Sequence, residues 1–380
     1  MQGPKVSFVV PCYNLAHLLP KCIESILSQE YRNFEVLIMD DCSPDNTAEV
    51  AKSFQDDRIR HVRNDHNLGH LQNYNKGINL SRGKYVWLIS ADDYLRRSYV
   101  LDQYVSLMET HPRIGYTCCP GVAVKSGKET GVLGYSVYSR KNRIVTGHVF
   151  LRRLLRSNIV IAASAIVRRD CYEKISLFPL EPGMEWSGDW YLWCLFALFF
   201  DVGYFAEPMV CYREHALSMT DTLTRPENVD RCSAGDVAVP WMIREKANDL
   251  GLGRISKEAL RAVVAEYVRQ GESKQYRGFT ESSAWSMSTD KFEASLCRRT
   301  ENENDRKWIR ARVFTGLGDV FCFRGDLRAA KSLYLRGIDE DPWMAKVYGK
   351  LSLLALGNLG FYFRAHCRTL RQRMSSIVRW

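Results

Sequence analysis

Two adjacent carboxylates, Asp92 and Asp93, follow an apolar segment at residues 85–89 that is typical of a buried strand. Like charges side by side repel each other, so their position needs a physical reason. A turn formed by the Asp side chains, or a helix N-cap, would provide one. A divalent metal site is the third alternative, because Mg²⁺ and Mn²⁺ bind carboxylate oxygens together with substrate phosphates. By itself, the pair favours the turn or the cap.

The elements that precede this pair place it at one edge of a sheet. Residues 5–95 alternate between apolar, β-branched segments and segments with helical periodicity. This alternation predicts an α/β fold, with a mostly parallel sheet and helices on both faces. In such sheets ligands bind beyond the carboxyl ends of the strands. Residues 11–13, 40–41 and 92–93 all follow strands, so we predict a ligand site where they meet.

Composition and charge limit the function further. The chain has 380 residues and a formal net charge of +10, which suits a phosphate-bearing substrate, an anionic lipid surface or a nucleic acid. Zinc-finger spacings and RNA-binding aromatic motifs are absent, so we do not expect nucleic acid as a partner. The Gly-rich signatures of dinucleotide-binding and P-loop enzymes are absent as well.

Cysteine usage and hydropathy predict a cytoplasmic protein. None of the 12 cysteines forms a Cys-x-x-Cys pair, and most lie in apolar segments, as in a reducing compartment. The longest apolar run, residues 190–200, is too short for a bilayer, which needs about 20 residues. The N-terminus lacks the pattern of a secretory signal.

The second half of the chain is predicted to be helical. Residues 222–238 are polar and weakly periodic, which suggests a first domain at 1–225, a linker at 226–239 and an all-α domain at 240–356. Residues at about 311–344 fit the spacing of a tetratricopeptide repeat, with Gly337 expected where two helices pack. The tail, residues 357–380, has five arginines and no acidic residue. It predicts either a helix on an anionic membrane surface or a solvated terminal helix.

The N-terminal motifs together resemble family 2 glycosyltransferases, which have the GT-A fold. The pieces in this chain are "VVPCYN", "SILSQ", "MDDCS", "NLG", "NKG" and "SADD", and they follow the family's order. The resemblance covers residues 5 to about 220. It implies an inverting transfer of a sugar from a nucleotide-diphosphate donor, such as a UDP-sugar, to a hydroxyl group. The acceptor would be a glycan or a lipid-linked intermediate.

The resemblance also implies roles for particular residues. It assigns Pro11, Tyr13, Asp41 and Asp92 to the nucleotide-sugar, and an aromatic face and a carboxylate do suit a nucleotide base. It assigns Asp93 to a bound Mg²⁺ or Mn²⁺ ion. Two positions depart from the family: Ser90 stands where many members have an acid, and Tyr74 where many have Arg, so a contact of that Arg is in doubt.

The catalytic base and a further metal ligand are implied in the same way. The segment "EWSGDWYLW" resembles a family landmark that makes Asp189 the base, with Glu185 as the second candidate and a helix N-cap as the alternative role of Asp189. The segment "YREHALS" resembles an element in which His215 could bind the metal and Arg213 a phosphate. A function of a different class is an inactive glycosyltransferase-like domain that acts as a binding scaffold together with its helical region.

Overall fold

The computed structural model describes residues 3–276 and 289–355. The chain forms two compact units, Met1–Ala259 and Leu260–Trp380. In the described residues the strands, in chain order, are β1 (Val6–Cys12), β2 (Phe34–Asp40), β3 (Ile59–Arg63), β4 (Tyr85–Leu88), β5 (Tyr94–Leu95), β6 (Ile114–Cys118), β7 (Gly121–Lys125), β8 (Lys128–Val132), β9 (Arg143–Val145), β10 (Ile166–Arg168), β11 (Asp201–Tyr204) and β12 (Val210–Glu214).

The helices of the described residues are α1 (Leu19–Leu27), α2 (Thr47–Ser53), α3 (His70–Leu80), α4 (Val100–Thr110), α5 (Gly147–Leu154), α6 (Arg169–Lys174), α7 (Met184–Phe196), α8 (Met219–Leu223), α9 (Val229–Asp249), α10 (Gly253–Tyr276), α11 (Thr289–Arg299), α12 (Glu303–Phe323), α13 (Leu327–Glu340) and α14 (Ala345–Ala355). No helix of the described ranges is both long enough and apolar enough to cross a membrane.

The first unit is built on an eight-stranded sheet in the order β3-β2-β1-β4-β10-β6-β11-β9. Strand β1 is parallel to both β2 and β4, and β3 is parallel to β2. Strand β10 runs antiparallel to its neighbours β4 and β6. A second sheet has the order β5-β12-β7-β8. The predicted α/β class and mostly parallel N-terminal sheet are therefore confirmed.

Helices cover both faces of the parallel strands, as predicted. Phe8 and Val10 of β1 belong to the buried cluster that contains Leu19 and Ile26 of α1. On the opposite face, a Cβ atom at Gly77 of α3 would lie 2.4 Å from the side chain of Val9. Successive side chains of a strand point to opposite faces, so one strand contacts both helices. This two-sided burial explains why β1 and β2 are almost continuously apolar.

The structure at residues 226–239 differs from the predicted linker. Most of this segment lies in α9, which packs against α7 at two glycines. A Cβ atom at Gly235 would lie 2.2 Å from the carbonyl oxygen of Gly183, so the two backbones touch. Gly235 and Ser233 thus lie at buried positions of this helix, which weakens the hydrophobic periodicity of the sequence there. The division between the compact units comes later, at Ala259.

The second unit contains the helix pair α12 and α13 in the region of the predicted repeat. A Cβ atom at Gly318 would lie 2.6 Å from the ring of Tyr334, and one at Gly337 would lie 2.7 Å from the hydroxyl of Thr315. Gly337 thus lies where the two helices pack, as the repeat pattern requires. The basic tail, residues 357–380, lies outside the described residues.

Candidate active site

The carboxyl ends of three neighbouring strands meet around the end of β1. The backbone N–H of Asp41, which follows β2, donates to the carbonyl of Cys12 at 2.9 Å. The backbone N–H of Ala91, in the loop after β4, donates to the carbonyl of Pro11 at 3.0 Å. These two bonds extend the sheet pairing beyond the strands, so the loops after β2 and β4 flank the end of β1.

Asp41 is buried and held by a polar network. Its Oδ1 accepts hydrogen bonds from Nδ2 of Asn64 at 2.7 Å and from the backbone N–H of Leu68 at 2.8 Å. Lys76 donates in turn to Asn64 at 2.7 Å. Nearby, the Tyr13 side chain is 48% exposed. A fixed carboxylate beside an exposed aromatic ring can receive a flat ligand that offers an N–H group.

Arg213, on β12, holds the turn that contains Asp92 and Asp93. Its backbone N–H donates to Oδ1 of Asp93 at 3.0 Å, and its Nε donates to the carbonyl of Asp92. Its Nη2 donates at 2.9 Å to the carbonyls of both Leu18 and Ala91. Through Nε and Nη2 of its guanidinium group, Arg213 therefore positions the Asp pair.

His215 contacts the side chain of Asp92. Its Nε2 is 3.1 Å from Oδ2 of Asp92. Burial raises the pKa of the Asp92 carboxyl, but the hydrogen bonds with His215 and Ser90 and the charge of His215 together outweigh burial, and the pKa lies below its ordinary value. Burial and the charge of Asp92 raise the pKa of Asp93 well above its ordinary value. Burial and mutual repulsion thus disfavour ionisation of both carboxyl groups at once, and a bound cation would relieve this repulsion.

The Asp pair fits part of a divalent cation site. Oδ1 of Asp92 is buried and accepts no hydrogen bond from any described residue, which is costly unless a cation or a ligand binds there. Within residues 3–276 and 289–355, no three His, Cys, Asp or Glu side chains are arranged as a complete metal site. Mg²⁺ commonly takes one or two carboxylates and completes its shell with water and substrate phosphates. The donor set therefore suits a cation that arrives with a phosphorylated substrate.

A cavity of about 540 Å³ opens beside these carboxylates. Pro11, Asp92, Asp93 and Asp189 all line it. Among the described residues in its lining there is no Lys or Arg. Tyr13, Asp41 and His215 do not line this cavity and lie at the adjoining strand ends. Further lining residues, which the sequence reasoning did not place, include Tyr74, Asn158, Trp186, Tyr212 and Asp236.

Asp189 lies inside α7 and does not cap it. The N-cap is Gly183, whose φ of 96° is in the left-handed region. Oε2 of Glu185 accepts from the N–H of Gly183 at 2.7 Å, and its other oxygen pairs with Arg231. Glu185 thus satisfies the N–H group of the N-cap residue. The N-cap interpretation of Asp189 is wrong because the helix begins five residues before it.

The environment of Asp189 suits a general base. Its Oδ2 accepts from Nδ2 of Asn158 at 3.2 Å, and its Oδ1 from the backbone N–H of Trp190 at 2.6 Å. Burial outweighs these hydrogen bonds and raises the pKa of Asp189 to about 6. A carboxylate with a pKa close to neutral can accept a proton more effectively than an ordinary Asp. No pattern in the sequence pointed to Asn158, which comes from a loop 31 residues earlier.

The parallel sheet and the acidic residues at the ends of β2 and β4 define the GT-A fold of glycosyltransferases. Residues 7–176 match the family described as glycosyl transferase family 2, and the chain therefore contains a domain of this family.

Individual relatives agree with this assignment. Glycosyltransferase GlyG of Streptococcus pneumoniae serotype 4 is 35% identical over 106 residues, which span 27% of this chain and 35% of GlyG. The Escherichia coli enzyme WfaP, a UDP-Glc:alpha-D-GlcNAc-diphosphoundecaprenol beta-1,3-glucosyltransferase, is 31% identical over 105 residues, which span 28% of this chain and 41% of WfaP. The matched segments thus cover less than half of either relative.

One solved structure resembles almost the whole chain. It is residues 1–349 of TarS from S. aureus in complex with UDP-GlcNAc, with a TM-score of 0.56 and 16% sequence identity. The superposition covers 91% of this chain and 92% of that structure. At this identity the similarity establishes the fold.

Proposed function

We propose that this protein is an inverting glycosyltransferase that moves a sugar from a UDP-sugar to a hydroxyl group of a glycan or lipid-linked acceptor. The observation that carries the proposal is that Asp93 and Asp189 line the same cavity. One carboxylate suits the diphosphate end of a donor, and the other suits the acceptor hydroxyl. The family assignment of residues 7–176 supports sugar transfer as the reaction.

The chain's own residues would bind and orient the donor. Tyr13 and Asp41 would hold the nucleotide base, and Pro11 and Asp92 would face the rest of the nucleotide. The complex of TarS with UDP-GlcNAc and the name of WfaP support uracil as the base. Asp93, with the buried oxygen of Asp92, would hold Mg²⁺ or Mn²⁺. When bound, this ion would neutralise charge on the diphosphate leaving group.

Asp189 would take the proton from the acceptor hydroxyl as its oxygen attacks the anomeric carbon. The new bond forms on the face opposite the diphosphate, so the configuration inverts. Asn158 would orient the carboxylate, since it donates to one of its oxygens. His215 and Arg213 would support the Asp pair without touching the substrate. We further propose a cytoplasmic location, with residues 357–380 able to hold the enzyme at an anionic membrane surface.

A binding screen tests the proposal directly. The full chain would be heated with UDP-glucose, UDP-N-acetylglucosamine, GDP-mannose and a dTDP-sugar, each with and without Mn²⁺. A specific donor stabilises the folded state by mass action, by about 2.7 kcal/mol at a concentration of 100 Kd. We expect a UDP-sugar with Mn²⁺ to give the largest rise in Tm. If no nucleotide-sugar raises Tm, the proposed function is wrong.

A further inference from the structure

Tyr74 occupies a fixed position in the wall of the cavity. It belongs to α3, and its ring packs edge-on between two others, with centroids 5.4 Å from His70 and 5.4 Å from Phe178. Asn75 ties the helix to the chain at Phe178 through two hydrogen bonds of 2.9 Å. These contacts leave the ring little freedom, so the direction of its hydroxyl group is set by the fold.

The Tyr74 hydroxyl makes no hydrogen bond with any residue of the described chain. Its neighbour Tyr212 differs, since the hydroxyl of Tyr212 lies 2.7 Å from that of Thr220. Burial raises the pKa of the Tyr74 phenol far above its usual value, and the carboxylates of Asp92, Asp189 and Asp93 raise it further. A phenol that lines a cavity, keeps its proton and has no protein partner is suited to a hydrogen bond with a ligand.

The ligand group can be identified from the carboxylates around Tyr74, on the basis of the proposed function. In an inverting transfer, the acceptor oxygen, the anomeric carbon and the leaving oxygen lie in line. In the proposed reaction the acceptor oxygen lies beside Asp189, at one end of this line. The diphosphate lies beside Asp92 and Asp93, at the other end. Tyr74 lines the same cavity as all three carboxylates, so its side chain is positioned to reach a group bound between the two ends of this line. The group that occupies this middle position is the sugar ring.

We propose that the Tyr74 hydroxyl binds a hydroxyl or ring oxygen of the transferred sugar and helps to determine which sugar the enzyme accepts. The ring packing against His70 and Phe178 provides the rigidity that such selection requires.

The substitution Tyr74→Phe removes only the hydroxyl and keeps the ring packing. Calorimetric titration would compare UDP with UDP-glucose and UDP-N-acetylglucosamine, all with Mn²⁺. We expect unchanged affinity for UDP and a loss of about threefold to tenfold for the UDP-sugar that the parent prefers, the size of one neutral hydrogen bond. Tyr172→Phe is the matched control, because the Tyr172 hydroxyl is also buried without a partner and lies outside the cavity.

The outcomes separate this inference from the proposed function. Equal losses for UDP and UDP-sugar would assign Tyr74 to the nucleotide or the diphosphate and overturn the inference. Unchanged affinity for both would overturn it as well. A parent protein that binds no nucleotide-sugar contradicts the proposed function itself. Thermal unfolding of both variants confirms that they fold, and kcat for each UDP-sugar then reports whether sugar preference has shifted with affinity.

Discussion

The backbone N–H of Arg213 donates a hydrogen bond to Oδ1 of Asp93, although 120 residues separate the two. Arg213 lies on β12 of the smaller sheet, whereas the Asp pair follows β4 of the larger one. The guanidinium group of Arg213 also bonds the carbonyls of Leu18, Ala91 and Asp92. A single residue therefore joins the two sheets and the chain before α1 at the turn that presents both carboxylates.

We predict that Arg213→Lys weakens Mn²⁺-dependent binding of UDP by about tenfold. Lys is a point donor and cannot reproduce the several directed bonds of the guanidinium group. Calorimetric titration of UDP with Mn²⁺ measures the effect, and thermal unfolding measures the accompanying loss of stability. Arg113→Lys is the control, because that side chain is 82% exposed and pairs with Asp201, away from the Asp pair. Equal UDP binding in the two variants would contradict the positioning role.

Asp189 should make turnover dependent on pH. The base must be unprotonated, and burial raises its pKa to about 6, so kcat should fall about tenfold per pH unit below pH 6 and level off above it. Asp189→Asn should bind the donor as the parent does and lose about 10²–10⁴-fold in kcat. Glu185→Gln is the control in the same cavity and should retain turnover. Normal turnover by Asp189→Asn would remove Asp189 as the base.

Asp93 should determine how donor binding depends on metal. We predict that Asp93→Asn binds UDP as the parent does in EDTA and gains little affinity when Mn²⁺ is added, because one of the carboxylates that would hold the ion is gone. Titrations of UDP with Mn²⁺ and with EDTA check this. Asp102→Asn, in the first turn of α4, serves as the control. If Mn²⁺ strengthens binding equally in all three proteins, Asp93 is not a metal ligand.

The contact between α7 and α9 should not tolerate a side chain. A Cβ atom at Gly235 would lie 2.2 Å from the carbonyl oxygen of Gly183, which is backbone and cannot rotate away. We expect Gly235→Ala to lower the free energy of unfolding by about 1–3 kcal/mol and to reduce kcat, because α7 carries Asp189. Urea denaturation and initial rates measure both effects. Gly253→Ala, where a Cβ atom meets nothing within 4 Å, should leave both unchanged.

The first 95 residues could be predicted well because their strands and helices alternate as distinct segments of the sequence. Strands β1, β2 and β4 are uninterrupted apolar segments separated by helices, and parallel pairing then places their carboxyl ends at one edge. Strand β10 has three residues and pairs antiparallel with β4, which lies about 80 residues earlier. Neither periodicity nor turn chemistry identifies such a distant pairing, so the later part of the sheet was not predicted.

Part of the candidate site could be predicted from residue types alone. The Asp pair and Asp189 stand out as acids beside apolar segments, so their residue types were informative. The sequence suggests a phosphate contact for Arg213 and does not show the hydrogen bonds by which this residue holds the turn of Asp92 and Asp93. Tyr74 was noted only as a departure from the family, since an aromatic residue in a helix usually packs in the core.

The wall of the cavity comes from two parts of the chain, and the family match covers the first of them. Pro11, Asp92 and Asp93 lie within residues 7–176, the part matched to the family, whereas Asp189, Tyr212 and Asp236 lie after it. An alignment that is confined to the first part compares the strand ends and leaves Asp189, Tyr212 and Asp236 uncompared. Under the proposed function, high identity to such a relative is therefore informative about the donor, and the acceptor has to be found by experiment.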